Sequence, residues 1–181
     1  MSTVESLIER NNSFASQRFA PLPAIPPSRT LVITCADVRV DPAHILGLRL
    51  GEAAVIRNVG GRITAATVQM LAMLAAVAAA ENASGGWELV LLHHTDCGIT
   101  RLAQFPDLLS AYFDIPDAEL PAKEVCAPAA AVVADLATLA GNPLLPSTLV
   151  VSGLVYDVAT GTVSIIDGPR PLRNDAESAS A

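Results

Sequence analysis

The chain has 181 residues and a formal net charge of −7 at pH 7, and 51% of its residues are apolar while 16% are charged. This length suits one domain, and the apolar fraction excludes a largely disordered chain. The acidic balance disfavours binding to nucleic acid phosphates or to an anionic membrane surface. We therefore expect a single domain over residues 1–181 that has neither nucleic acid nor membrane as a partner.

The cysteine content points to a reducing compartment. Cys35, Cys97 and Cys126 are the three cysteines, and an odd number cannot all pair within one chain. The longest apolar stretch, residues 65–80, is shorter than the ~20 residues that a membrane-spanning helix needs. We expect a cytoplasmic protein in which cysteines serve as ligands, nucleophiles or core residues.

The N-terminal segment, residues 1–28, is predicted to be a helical arm. Ser2 and Glu5 have the spacing of a helix capping box, and apolar residues follow on one helical stripe. A proline-rich stretch at 21–27 then ends regular structure. Such a helix cannot form a core by itself, so we expect it to pack on another surface, for example that of a second subunit.

Strand and helix patterns alternate from Thr30 onward. Short apolar runs predict strands at 31–34, 54–56, 88–92, 148–156 and 162–166. Longer apolar segments predict helices at 65–82 and 128–140. The last two strands are predicted to form a hairpin across Thr160-Gly161. The fold class is therefore α/β, with a mixed, largely parallel central sheet flanked by helices. The helix at 65–82 is apolar nearly all round and should be buried on more than one side, whereas residues 171–181 should form a frayed tail.

Two polar segments directly follow predicted strands. Residues 35–39 follow the first strand and residues 93–98 follow the third. Open α/β sheets place their sites at the carboxyl ends of strands, so the two segments should meet. In an extended chain Cys35, Asp37 and Arg39 project to one side, and Arg39 can pair with Asp37 through a forked hydrogen bond.

Together the two segments offer the ligands of a catalytic zinc site. Cys35, His94 and Cys97 supply two thiolates and one imidazole, which leaves a fourth position for Asp37 or for water. Each segment alone also has a plainer interpretation: a core cysteine beside a surface ion pair, or a histidine that bonds to Asp96. The remaining cysteine is more simply a core or surface thiol than a ligand.

These motifs resemble those of the β-class carbonic anhydrases. The resemblance rests on Cys35-x-Asp37-x-Arg39, on His94-x-x-Cys97-Gly98, on the segment 55–61 between them and on the hairpin sequence 153–161. The doubled histidine at 93–94 is similar to the short bacterial branch of the family. That branch also includes hydrolases of carbonyl sulfide and carbon disulfide.

The resemblance implies a zinc enzyme that hydrates carbon dioxide reversibly to bicarbonate by means of zinc-bound hydroxide. It implies Zn²⁺ ligation by Cys35, His94 and Cys97, with Asp37 as an alternative fourth ligand, and a catalytic dyad of Asp37 and Arg39. It also implies a homodimer or homotetramer with N-terminal helices that reach across subunits. Two alternatives stay open: a carbonyl sulfide or carbon disulfide hydrolase with the same site, and a non-catalytic zinc-binding or sensing module, which the presence of both dyad residues disfavours.

Overall fold

Five strands form one sheet in the computed structural model, which describes residues 2–173. The strands are Thr30–Cys35 (β1), Ala53–Asn58 (β2), Glu88–His94 (β3), Val150–Asp157 (β4) and Thr162–Pro171 (β5). Their order is β2-β1-β3-β4-β5, and only the β4–β5 pair is antiparallel. The predicted α/β fold with a mixed, largely parallel sheet and a C-terminal hairpin is confirmed.

The helices are Thr3–Gln17 (α1), Pro42–Ile45 (α2), Ala65–Ala80 (α3), Pro106–Phe113 (α4) and Pro128–Ala140 (α5). Helix α5 packs on the sheet, where Val132 and Leu136 join Ile33 and Leu91 in the main core. Five of the six β1 residues are buried, which explains why a parallel strand covered on both faces reads as an unbroken apolar run.

The N-terminal helix begins as its sequence predicts. The Ser2 side chain accepts a hydrogen bond from the Glu5 amide, and the Glu5 side chain accepts one from the Ser2 amide, which completes the capping box. Every residue of α1 is nevertheless at least partly exposed, and Val4, Leu7 and Ile8 are among the exposed apolar residues of the described chain. Packing within residues 2–173 therefore contributes little to the stability of this helix.

Helix α3 is less buried than its sequence predicts. Thr64 caps it as expected, and Val68 and Leu71 reach the core. Met73 and Val77, however, are 64% and 50% exposed. The expectation of burial on more than one side is wrong for the isolated chain, because one sheet face can cover only one stripe of a helix.

Several boundaries differ from those predicted. Strand β3 continues through His94, so the two histidines lie in the strand and not after it. The predicted tail begins later than residue 171, because Pro171 pairs with Val150 and Leu172 is buried. Residues 174–181 of that prediction lie outside the described residues. Within residues 2–173, no helix is both long and apolar enough to cross a bilayer.

Candidate metal centre

Two parallel strands deliver the first two candidate ligands to one edge of the sheet. Cys35 ends β1, His94 ends β3, and these strands are direct neighbours. A turn with Asp96 in the left-handed region brings Cys97 back toward them. The two sulfurs lie 3.7 Å apart, and one ligand atom from each of the three buried residues lies within 4.8 Å of the others.

The His94 ring is arranged as a metal ligand would be. Its Nδ1 lies 2.9 Å from the Thr95 carbonyl oxygen, which only accepts, so Nδ1 carries a hydrogen and Nε2 is the nitrogen left to bind a metal. That Nε2 is buried and lacks a hydrogen-bond partner within residues 2–173. A buried, unpaired nitrogen beside two sulfurs is costly unless something binds it. Two sulfurs and one imidazole are the donors that zinc prefers, so these residues fit the ion.

Hydrogen bonds converge on the Cys35 sulfur. Besides the Cys97 thiol, the backbone N–H groups of Asp37 and Gly60 approach it at 3.4 and 3.3 Å. The Cys97 contact first, and then His94 and these amides, hold the pKa of Cys35 well below its ordinary value. The same contact, in which either sulfur can be the donor, raises the pKa of Cys97.

Glycines make the close approach to Cys35 feasible. Gly60 and Gly61 have φ values of +78° and +67°, in the region that side chains disfavour. A Cβ on Gly61 would lie 2.9 Å from the backbone nitrogen of Cys35 and from the carbonyl carbon of Thr34. The turn Val59–Gly61 therefore sits against β1 as only glycine permits.

The predicted pairing of Asp37 with Arg39 is present. Arg39 donates from Nε to Oδ1 at 3.0 Å and from Nη2 to Oδ2 at 2.7 Å, and a further bond reaches Asp96 Oδ2 at 2.8 Å. Arg39 thereby holds the pKa of the Asp37 carboxyl far below its usual range. The two residues lie on one side because the chain turns after β1, and not because it stays extended.

Asp37 faces the cluster without belonging to it. Its Oδ2 lies 4.0 Å from His94 Nε2, while both of its oxygens are held by Arg39. Arg57 fixes the backbone beneath, since it donates to the carbonyl oxygens of Cys35 and Asp37. The pairing with Arg39 is the arrangement that the structure shows, and ligation by Asp37 stays a prediction.

A cavity of about 130 Å³ adjoins the cluster. His94 and Cys97 form part of its wall, together with apolar side chains such as Ile99 and Val125. Cys126, predicted to be a plain thiol, is exposed and also lines this cavity, but it lies outside the three-residue cluster. The cavity can hold a molecule of a few atoms, since one water takes roughly 30 Å³ of liquid volume.

Sequence reasoning missed a buried charge network beside the site. Asp135 on α5 is fully buried and pairs with Arg62, and His93 Nε2 lies 3.4 Å from the same carboxylate. His93 is itself buried and belongs to this network. The available signal was a single carboxylate in an otherwise apolar helical segment, which is costly to bury unless it is paired.

Comparisons with known proteins agree with this geometry. A family model described as carbonic anhydrase matches residues 30–113, which contain both polar segments. Beta-carbonic anhydrase 1 of Mycobacterium tuberculosis is 31% identical over 166 residues, or 91% of this chain and 98% of that protein. Carbon disulfide hydrolase of Saccharolobus solfataricus is 26% identical over 87% of this chain and 85% of that protein. The crystal structure of carbonic anhydrase from Streptococcus mutans matches with a TM-score of 0.70 and 33% identity, covering 92% of this chain and 99% of that one.

Proposed function

Because the chain belongs to the β-carbonic anhydrase family of carbonate dehydratases, we propose that it hydrates carbon dioxide reversibly to bicarbonate at a zinc site formed by Cys35, His94 and Cys97. The observation that carries the proposal is the buried, unpaired Nε2 of His94 beside two cysteine sulfurs. When bound, zinc supplies Lewis acidity, which lowers the pKa of a coordinated water and so provides a nucleophile near neutral pH.

The two cysteines set the charge of the site. Two thiolates neutralise a divalent cation, and the contacts that lower the pKa of Cys35 favour its thiolate form. The ring of His94 is held in the tautomer that ligation needs by the Thr95 carbonyl group. A cation therefore has to displace the proton shared by the two sulfurs, and it competes with a proton on His94, whose pKa is raised because the contact with Cys35 outweighs burial.

Asp37 and Arg39 have a positioning role toward the nucleophile in this proposal. A carboxylate with so low a pKa does not hold a proton, so Asp37 acts as a hydrogen-bond acceptor that orients a water molecule. Arg39 would keep that carboxylate away from the ligand cluster, which would leave room there for a water molecule. Without that pairing, Asp37 would be the fourth residue able to hold the ion.

A second candidate is hydrolysis of carbonyl sulfide or carbon disulfide at the same site. The match to a protein named carbon disulfide hydrolase favours it. The apolar cavity next to His94 and Cys97 suits any small linear molecule of this kind. The two activities differ in product, since only the sulfur substrates release hydrogen sulfide.

The test compares both gas reactions in the wild type and in Asp37→Ala. We expect carbon dioxide hydration by the wild type, a loss of roughly 10²-fold in Asp37→Ala and unchanged zinc content in both. Sulfide release that exceeds carbon dioxide hydration would favour the second candidate. Bound zinc with no turnover of any gas, unaffected by the substitution, would support a binding or sensing module instead.

We also propose that each chain folds as a single domain and that two or more chains assemble into an oligomer. The exposed apolar residues of α1 and the exposed face of α3 both lack cover within residues 2–173, and β2 has one unpaired edge. Beside α3 lies an apolar groove of about 140 Å³, with Ile25, Leu74 and Trp87 in its walls. The α1 helix of a second copy is an apolar partner for these surfaces.

A further inference from the structure

A buried ion pair lies beside the candidate metal centre and has no part in the proposed reaction. Arg62 follows the Val59–Gly61 turn, and its Nε and Nη2 donate to the two oxygens of Asp135 at 2.7 and 3.2 Å. Both side chains are buried, at 1% and 0% exposure. A buried pair is often no more stabilising than apolar residues of the same volume, so its presence calls for a more specific account.

The Asp135 carboxylate joins three parts of the fold. It accepts a hydrogen bond from the Ile63 amide at 3.2 Å and lies 3.4 Å from His93 Nε2. That nitrogen also lies 3.2 Å from the Gly61 carbonyl oxygen, and because both neighbours accept, Nε2 carries the hydrogen. The Asp135 carboxylate on α5 therefore contacts both the segment that follows β2 and the C-terminal end of β3.

The segment that Asp135 contacts after β2 adjoins the turn whose Gly60 N–H reaches the Cys35 sulfur. Asn58 and Arg62 bracket the turn, because the Asn58 side chain accepts from the Arg62 amide at 2.7 Å and donates to its carbonyl oxygen at 2.8 Å. Inside this bracket, the Gly60 N–H points at Cys35 Sγ from 3.3 Å. With its C-terminal end held by Asp135, the turn has little freedom to withdraw that N–H.

We infer that Asp135 is a positioning residue of the metal centre, which acts through Arg62 and Ile63 to hold the Gly60 N–H on the Cys35 sulfur. The inference rests on the proposed ligation by Cys35. A hydrogen bond to a ligand sulfur lowers the energy of its lone pairs and so tunes how strongly it donates to a metal. Groups in this outer position typically change metal affinity about 10–100-fold when they are lost.

The test uses the full-length protein loaded with Co²⁺, whose sulfur-to-cobalt charge-transfer band reports directly on the sulfur lone pairs. We expect Asp135→Asn to move this band to longer wavelength, because the released turn no longer donates to Cys35. Zinc affinity, measured by competition with a chelator, should fall about tenfold, because the sulfur is no longer held in position for ligation, and this loss outweighs the gain from a stronger donor. The matched control is Leu139→Ala, a fully buried position on the same helix, which should weaken the fold without moving the band.

A double variant covers the case in which Asp135→Asn does not fold. Arg62→Met combined with Asp135→Leu removes both charges and keeps an apolar contact, so the protein should fold while the turn is unanchored, and the band should again move to longer wavelength. The inference is overturned if the folded variants keep the wild-type band, or if Leu139→Ala moves it equally. A wild type without any sulfur-to-cobalt band would overturn the proposed metal centre as well, which separates the two failures.

Discussion

Cys35 is the residue at which most interactions of the site meet. Its sulfur contacts Cys97, lies within 4.8 Å of a ring nitrogen of His94 and accepts from two backbone N–H groups. The sequence predicts these ligands because parallel strands end at one edge of a sheet. It does not predict the Gly60 donor, since a glycine pair is typical of any turn, and only the close approach to β1 distinguishes this one.

The cysteines should differ in their importance for zinc. We expect Cys35→Ser to remove nearly all bound zinc, because a neutral alcohol oxygen replaces a sulfur whose thiolate form the surrounding contacts favour. Cys126→Ser is the control, since Cys126 lies outside the ligand cluster and should leave the metal content at the wild-type level. Elemental analysis of the purified proteins measures both. Equal zinc loss in the two variants would refute the assignment of Cys35.

Two glycines allow backbone strain to be separated from steric contact. Gly61 and Gly47 both have a φ of +67°, but a Cβ would touch the β1 backbone only at Gly61 and would meet nothing within 4 Å at Gly47. Gly47→Ala should therefore cost only conformational strain, about 1–2 kcal/mol of unfolding free energy. Gly61→Ala should cost roughly 1–3 kcal/mol more. Urea titrations of both variants test this, and equal losses would show that the contact with Cys35 is unimportant.

At the scale of elements, the strands were easier to predict than their ends and their partners. The runs that became β1 to β5 are apolar enough to be recognised, yet β3 extends two residues beyond its predicted end, because His93 and His94 pair with β4. The contact between Arg62 and Asp135 joins residues 73 positions apart and follows no periodic pattern. A sequence shows that such a carboxylate needs a partner, but not which arginine supplies it.

Asp135 should link stability to pH. Burial opposes its ionisation, but hydrogen bonds from His93 and Arg62 outweigh burial and lower its pKa in the folded protein. Its stabilising contribution is therefore present above the ordinary aspartate pKa of about 4 and is lost as the pH falls below that value. Asp135→Asn should cost about 3–5 kcal/mol at neutral pH.

Urea unfolding of the wild type and Asp135→Asn at a series of pH values measures this difference. It should shrink as the pH falls from about 5 toward 3. The Asp167–Arg170 pair on β5, which is only partly buried, offers Asp167→Asn as a control with a much smaller effect at neutral pH. A difference for Asp135→Asn that stays constant through acid would contradict the lowered pKa.

For the whole molecule, the apolar surfaces of α1 and α3 are the main feature that a single chain leaves unexplained. The sequence indicates both, through the stripe on α1 and the nearly uniform apolar character of α3. It could not show that the sheet covers only one face of α3, because that depends on where the helix sits. The proposed assembly would cover both surfaces at once.

The assembly should depend on the apolar stripe of α1. We expect the wild type to sediment as a dimer or a larger oligomer at micromolar concentration. Leu7→Asp combined with Ile8→Asp should weaken association at least about tenfold, since each buried aliphatic side chain contributes about 1.5–3 kcal/mol. Glu9→Gln, at an exposed position on the same helix, is the control and should leave the oligomer intact. A monomeric wild type, or a double variant that still assembles, would contradict the proposal.

The central claim is that two cysteines and one histidine from separate parts of the chain hold a zinc ion. X-ray absorption at the zinc edge of the purified protein measures this most directly. The account predicts two sulfur neighbours at about 2.3 Å and nitrogen or oxygen neighbours near ~2.0–2.1 Å. A zinc environment of nitrogen and oxygen alone would contradict it, and so would a purified protein that binds no zinc even after zinc is added.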